Sequence, residues 1–485
     1  MEKIRREDFF KKMAIITVGA AVAPKLISAN SLFDKFISNS NNEQKTVINE
    51  NAIIDLHCHP SLKMYLWDKH LWKCHNPGPG TNEIAMQDDV KQLSSGYVKG
   101  LVVAHYLLEA SSEKEWNLLK NFFPLLKKVL PKLVDKIEHE DYSNFTQINI
   151  MIDTMESQMH LANQKQHKIQ FVVARDFSEF EQALQDGNIP IAHAIEGAHA
   201  LGRNFPISER RTKDPSVPKG KMANVNETDI NERSKFYIQN LEALKMRGVC
   251  MITIGHIFKN DIAFPTEGIS PDEKINIGMS WEFSAESNRS LSDIGEVVVK
   301  KMLDIGIIVD LTHCAPAGRT RVFEINAGRA NPRPLAFTHV GAQKVFEKYA
   351  KGAYPNYNYY NVSKEEIIAI EKCGGVIGVI PENFWLTGCD THIKGVDAKT
   401  FKKGIKYIIE TMLYINSVTE KKEFDTVAIG TDFDGFADAP KDLYVASQLG
   451  DLLKQMGDAG ITQQQIKKIT HKNAERLLQK GWGKQ

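Results

Sequence analysis

Short runs of continuously apolar residues, repeated along the chain and separated by longer segments with helical patterning, constrain this sequence more than any other feature. The runs are AIIDL (52–56), GLVVAHY (100–106), IQFVVA (169–174), IPIAHAI (189–195), GVCMITI (248–254), GIIVDL (306–311), PLAFT (334–338), GGVIGVI (374–380) and TVAIGT (426–431). A strand with one wet face alternates apolar and polar residues. These runs do not, so both of their faces are expected to be covered, as in a parallel sheet flanked by helices. Helical patterns fill 292–305, 363–373 and 398–415, and Ser292 and Ser363 stand where N-caps belong. Roughly eight or nine strand–helix units predict an α/β fold of the TIM-like (β/α)8 barrel type, with insertions. An open doubly wound sheet is the rival, but no GxGxxG follows any run. Residues 203–235 are polar, Pro-containing and without period, which predicts a surface excursion.

The residues that end these runs carry the chemistry. His57 and His59 follow the first, Glu196 the fourth, His256 the fifth, His313 the sixth, His339 the seventh and Asp432 the ninth. In a barrel those C-terminal strand ends converge on one mouth. A lone His after a strand is ordinarily a hydrogen-bonded structural residue, and His105 and His193 are read that way. Histidines at four separate strand ends point instead to metal. Zinc and similar ions take imidazole nitrogen and carboxylate oxygen, and catalytic sites leave a position for water. His57, His59, Glu196, His313 and His339 supply ligands for two divalent ions, with Glu196 suited to bridge them. A hydroxide held between two ions could attack a carbonyl, and Asp432 would pass its proton to a leaving amine.

The blocks DLHCHP, AIEGAHAL, RGVCMITIGH, LSDIGEVVVKKMLDIGIIVDLTH, PLAFTHVGA and IGTDFDG resemble, in order and context, the membrane dipeptidase family of metallopeptidases within the amidohydrolase superfamily. The similarity runs through MQDDVKQLSSGYVKG (86–100) and into 452–478, so it covers nearly the whole chain after residue 50. The resemblance implies a barrel, a binuclear zinc centre and hydrolysis of a dipeptide or peptide-like amide. It makes His57 and His59 ligands of one ion, Glu196 the bridge, and His313 and His339 ligands of the other. His256 would contact substrate and polarise its carbonyl, Asp432 would handle the proton and the substrate amino group, and His199 would orient Glu196.

Two departures from the family stand out. His59 occupies a position where the family ordinarily carries Asp, which exchanges an anionic ligand for a neutral one without threatening metal binding. Tyr360, in YNVSKEE, stands where the family has an Arg that grips the substrate carboxylate. A phenol cannot supply that bidentate, permanently charged clamp. Tyr360 is therefore expected to line a substrate subsite of different character, with Arg319, Arg321, Arg329 or Lys351 as substitute cations. The change favours, as an alternative, hydrolysis of a lactone or an N-acyl amino acid. An exported binding protein without turnover is a further alternative, which the intact ligand set and Asp432 argue against.

The first thirty residues run from a basic start (Lys3, Arg5, Arg6, Lys11, Lys12) through an apolar stretch, Met13 to Ala23, to small residues. That order predicts an export signal over 1–30, of twin-arginine type because Arg5-Arg6 precedes Phe9-Phe10-Lys11. A polar linker (31–50) and a single hydrolase domain (51–485) follow, with the periplasm or cell envelope as the expected location. The apolar stretch is too short for a stable membrane span. Lys plus Arg total 61 against 60 for Asp plus Glu, a formal net charge of +1, which argues against nucleic acid as a partner; the resemblance implies a small molecule or dipeptide as substrate. A homodimer is compatible with this composition. Six cysteines without a CxxC are too few for a disulfide scaffold at this length, and Cys373 and Cys389 could pair in an oxidising envelope. Cys58 and Cys314, beside expected ligands, are read as packing residues.

Overall fold

The computed structural model describes residues 52–76, 85–107, 144–165, 169–202, 230–257, 260–266, 290–350, 359–388, 404–435 and 439–483. The expected export signal and linker lie outside these residues, as does most of the expected excursion; its last part, from Ile230, opens the helix Ile230–Met246. Each apolar run contains a strand: β1 Ile53–Cys58, β2 Val98–Tyr106, β3 Phe171–Ala174, β4 Ile189–Glu196, β5 Val249–Thr253, β6 Ile308–Asp310, β7 Ala336–Val340, β8 Val376–Val379 and β9 Val427–Ile429. All pairings between them are parallel, in the order β1-β2-β4-β5-β6-β7-β8-β9, with β3 on the N-terminal half of β4.

The two ends of that order meet. Past the end of β9, the Asp432 amide donates to the His57 carbonyl at 2.8 Å, and the His59 amide donates to Phe433 at 2.7 Å. Cys58 and Phe433 form a parallel bridge. The eight-strand order thus closes nearly into a barrel, which disposes of the open-sheet alternative. Helices cover the outside, and their boundaries follow local chemistry. Ser292 caps the helix Asp293–Ile305 through the Gly295 amide, and Gly306 ends it in left-handed backbone. Ser363 and Glu366 form a capping box at the helix Lys364–Lys372.

Strand residues divide between two apolar clusters. The larger lies beneath the surrounding helices. The smaller draws on every strand, including Ile54, Leu56, Val102, Ala192, Ala194, Ile308, Ala336, Val376 and Ala428, and packs with Leu477, Leu478 and Trp482 near the C-terminus. Alanines are frequent in that second set, and neighbouring strands approach closely. At Gly378 and Gly430, a Cβ would run into the Thr338 carbonyl from two adjacent strands. Thr338 belongs to the strand that carries His339, so barrel closure and the position of a candidate ligand depend on the same contact. Among the described residues, no helix is long and apolar enough to cross a membrane, and Cys373 is a free thiol.

Gly430→Ala is expected to destabilise the fold by about 3 kcal/mol, the upper end of overpacking costs, because the obstructing atom is backbone. Gly457→Ala, where an added Cβ meets nothing within 4 Å, is expected to be neutral or stabilising by about 0.5–1 kcal/mol. Denaturant unfolding of the two variants beside the parent would check the contrast.

Candidate metal centre

Every residue expected at the mouth stands at or just past the C-terminal end of its strand. His57 is within β1 and His59 follows it; Glu196 ends β4, and His339 is the fourth residue of β7. His256, His313 and Asp432 each lie three residues beyond β5, β6 and β9. The chain turns sharply at two of them: His313 (φ 63°) and Asp432 (φ 54°) hold left-handed backbone, which costs a non-glycine residue about 1 kcal/mol. That turn aims both side chains at the cluster.

Glu196 is its centre. One carboxylate oxygen, Oε1, lies 3.3 Å from His57 Nε2 and 3.4 Å from both His313 Nε2 and His339 Nε2. The other, Oε2, lies 3.3 Å from His59 Nε2 and 3.4 Å from His256 Nε2. The His57 and His59 Nε2 atoms are 3.0 Å apart, and those of His313 and His339 are 2.9 Å apart. Asp432 Oδ1 reaches His59 Nε2 at 3.0 Å. All the imidazoles and Glu196 are buried, while Asp432 keeps part of its side chain in solvent. His256, expected to face substrate, is thus as near to Glu196 as the four expected ligands.

Proton positions follow from a residue behind the cluster. Thr338 Oγ1 bonds Asp310 Oδ2 at 2.7 Å, His57 Nδ1 at 2.9 Å and His339 Nδ1 at 3.0 Å. A hydroxyl has one proton, and an ionised Asp310 can only accept it. Thr338 must then accept from both rings, which puts the proton of each imidazole on Nδ1 and leaves a lone pair on Nε2. Those lone pairs face Glu196 Oε1, a buried oxygen with no hydrogen-bond partner. Acceptors packed against acceptors require a cation among them. Ligands about 2.0–2.1 Å from a tetrahedral ion stand about 3.3–3.4 Å apart, the spacing found around Glu196. The donor set therefore fits metal, and His57–His59–Glu196, His57–His339–Asp432 and Glu196–His256–His313 are three overlapping groups able to hold it.

Charge agrees with that role. Burial would raise the Glu196 carboxyl, but His256, His59 and His57 outweigh it and hold the group well below the usual carboxylate range. Burial, then His57 and His313, push His339 well below the ordinary imidazole value, and burial with His256 lowers His313. Burial also works to lower His57, but Glu196 and Asp432 raise it overall. An ionised Glu196 beside the lowered His313 and His339 is the form a divalent ion binds, and an ion there would displace the proton that Glu196 and Asp432 favour on His57.

Several residues that shape the site were not singled out from the sequence. Asp310 also accepts from the Thr312 amide at 3.0 Å and from Thr253 Oγ1 at 2.6 Å. Asp55 repeats the device on β1, accepting from the His57 amide at 3.1 Å, the Thr431 amide at 2.9 Å and Thr431 Oγ1 at 2.5 Å. The available signal was the repeated Asp-Leu ahead of a ligand, in DLHCH and DLTH. Trp385 packs on His313 and His339 with centroids 5.2 and 5.9 Å away, and Tyr106 packs on His256 at 4.5 Å. His199 meets the Leu107 carbonyl through Nε2 at 3.1 Å. His105 and His193 form a buried chain from Ser61 to Glu156.

Tyr360 is fully buried, its ring against Phe346, Phe384 and Trp385, so Trp385 stands between it and the imidazoles. Of the substitute cations, Arg319 is buried and bonds the Tyr360 carbonyl at 3.3 Å and Glu366 at 3.1 Å. Arg321 pairs with Glu296 and Glu324, and Arg329 with Asp304. Lys351 lies outside the described residues. Thr338→Val is expected to weaken metal binding about 10–100-fold, and Thr338→Ser to restore most of it, as read by competition with a chelator.

The sequence pattern of the membrane dipeptidase family (peptidase family M19) matches residues 235–481. An uncharacterized dipeptidase of Schizosaccharomyces pombe is 25% identical over 191 residues, 39% of this chain and 40% of that protein. A dipeptidase of Aspergillus oryzae is 27% identical over 190 residues, 39% of this chain and 38% of its own length. The chain thus matches about two fifths of the length of these curated relatives. The fold is also that of a Rhodobacter sphaeroides metallo peptidase liganded with a phosphinate mimic of the dipeptide L-Ala-D-Ala, with a TM-score of 0.56 at 16% identity over 89% of this chain and 99% of that one. A probable dipeptidase of Pseudomonas aeruginosa gives a TM-score of 0.56 at 14% identity, covering 90% of this chain and 96% of its own. With half of its length matched by the family pattern on a barrel of the same fold, the chain belongs to the membrane dipeptidase family.

Proposed function

We propose that the chain is a zinc-dependent hydrolase that cleaves a dipeptide or peptide-like amide. The observation that carries this reading is the buried Glu196 ringed by five imidazoles at 3.3–3.4 Å, with Asp432 at its solvent edge. Two divalent ions held by His57, His59, Glu196, His313 and His339 would supply an acidified water and polarise the scissile carbonyl. The chain's own side chains account for the remaining steps. Asp432 is the one partly solvated carboxylate in the cluster; it takes the proton of the attacking water and delivers it to the leaving nitrogen. His256, braced by Tyr106, is placed to donate to the oxygen that gains charge as the carbonyl is attacked. Trp385 lies over His313 and His339 and keeps that side of the site dry.

A second reading, hydrolysis of a lactone or an N-acyl amino acid, draws support from Tyr360. Its ring is enclosed by aromatics, the adjoining Arg319 is paired with Glu366, and Arg321 and Arg329 are paired with Glu296 and Asp304. A substrate carboxylate would find none of these three guanidinium groups waiting for it.

Elemental analysis is expected to give at least two zinc per chain. Asp432→Asn should lower turnover about 10²–10⁴-fold while metal content stays near that of the parent; full activity in this variant would sink the proton-transfer role. The substrate panel begins with L,D dipeptides, because the Rhodobacter sphaeroides relative in fold carries a mimic of one. It extends to L,L and D,D dipeptides, to N-acyl amino acids and to lactones. Activity confined to lactones or N-acyl amino acids, with no dipeptide cleaved, would favour the second reading.

Export to the periplasm is proposed from the order of charge and apolarity in residues 1–30. Replacing Arg5 and Arg6 together by Lys is expected to hold the chain in the cytoplasm, as cell fractionation would reveal.

A further inference from the structure

A second group of donors sits against β1, outside the Glu196 cluster. Asp55 and Cys58 of β1, and Asp88 just before the helix Val90–Ser95, bring two carboxylates and a thiol sulfur within 4.8 Å of one another, all buried. Asp55 is well supplied with hydrogen bonds, but Asp88 is not. It is 1% exposed, and its two carboxylate oxygens lack a hydrogen bond of ordinary geometry, the Cys58 thiol being the donor that bears on them. Asp434, fully buried beside it, accepts the Gln87 amide through Oδ1 at 2.7 Å and leaves Oδ2 without a partner. Burial first, then the negative charge of Asp434 and Asp55, drives the Asp88 carboxyl well above its usual range. Burial raises the Asp434 carboxyl to about 6, against the lowering pull of Lys63 and His75. Three carboxyl oxygens short of ordinary hydrogen bonds in one buried place would be satisfied by a cation in place of the proton that burial favours on Asp88.

We propose that Asp55, Cys58 and Asp88, with Asp434 alongside, form a structural site for a zinc-like divalent ion, separate from the centre around Glu196. The mixed sulfur and oxygen donors select this class of ion, because magnesium and calcium take oxygen alone. Ligands about 2.0–2.3 Å from an ion stand about 3.3–3.8 Å apart, so the donors need to close by about 1 Å, within reach of side-chain rotation. Cys58 gives up a weak contact to the Val102 carbonyl at 3.8 Å, binds as thiolate and releases its proton to solvent. Cys58 lies between His57 and His59, and Asp434 is two residues past Asp432. An ion there ties the first ligand pair and the proton carrier to the segment that holds Asp88.

Cobalt(II) added to the metal-free full chain tests this directly. The Glu196 centre offers only nitrogen and oxygen, so a near-ultraviolet thiolate-to-cobalt charge-transfer band reports the proposed site and not that one. The band is expected in the parent and in Cys74→Ser, a control for the exposed thiol, and lost in Cys58→Ser. Zinc content should fall by about one ion per chain in Asp88→Asn. Absence of the band from the parent overturns the proposal, and this result needs no variant to fold. So does an Asp88→Asn chain that keeps its full zinc complement with an unchanged or higher Tm, since the isosteric amide reproduces a protonated acid. Loss of the Glu196 centre would show separately, as a cobalt-loaded chain with the charge-transfer band alone.

Discussion

One hydroxyl organises the mouth of this barrel. Thr338 takes hydrogen bonds from His57 on β1 and His339 on β7 and gives its proton to Asp310 on β6. Both rings are thereby fixed in the same tautomer, with Nε2 lone pairs pointing at one carboxylate. The Thr338 carbonyl meanwhile lies where Gly378 and Gly430 permit two neighbouring strands to approach it. Strand packing below and ligand orientation above are consequently set at a single residue. A shift of that residue would disturb two imidazoles at once, which loops holding each ligand separately would not do.

Asp55 and Asp310 extend this logic. Each accepts an amide two residues further along its own chain and an amide plus a hydroxyl from a threonine on an adjacent strand end. The repeated arrangement stiffens the backbone where it leaves the regular strand, at the point where His313 and Asp432 adopt left-handed conformations. A buried carboxylate that accepts several hydrogen bonds is well suited to hold such turns, because its lone pairs satisfy amides that the ended sheet no longer pairs.

The fold was largely legible in the sequence because continuous apolar runs report a physical fact, burial of both strand faces, and all nine runs contain strands. Boundaries shifted by a few residues where sheet pairing, not apolarity, ends the strand: β6 keeps only Ile308–Asp310 of GIIVDL. The convergence of His57, His59, Glu196, His256, His313, His339 and Asp432 was legible for a related reason, since parallel strands place their C-terminal ends together. Thr338, Asp310 and Trp385 were not. A threonine or an aspartate in a strand is unremarkable as a letter, and its importance lies in which ring it meets across the barrel. Tyr360 was visible as a substitution, but its burial behind Trp385 depends on the packing of Phe346 and Phe384.

That packing bears on specificity. Arg319 is a buried guanidinium that could look like a carboxylate receptor, yet it bonds the carbonyls of Tyr360 and Asn361 and the carboxylate of Glu366. It therefore anchors the turn that carries Tyr360 and the capped start of the following helix. Freeing it for a substrate would take the guanidinium from the Tyr360 carbonyl at a cost of about 1–3 kcal/mol, while Gln343 and the Ser363 amide still serve Asn361 and Glu366. Asn361 in turn bridges the Gly341 amide and the Trp385 carbonyl, at 2.8 and 2.6 Å. The chain from Arg319 through Asn361 to Trp385 ends on the rings of His313 and His339. Along this side the imidazoles are walled by an aromatic ring whose position is tied to a fixed cation, so this wall of the site is set by packing and not by a free charge.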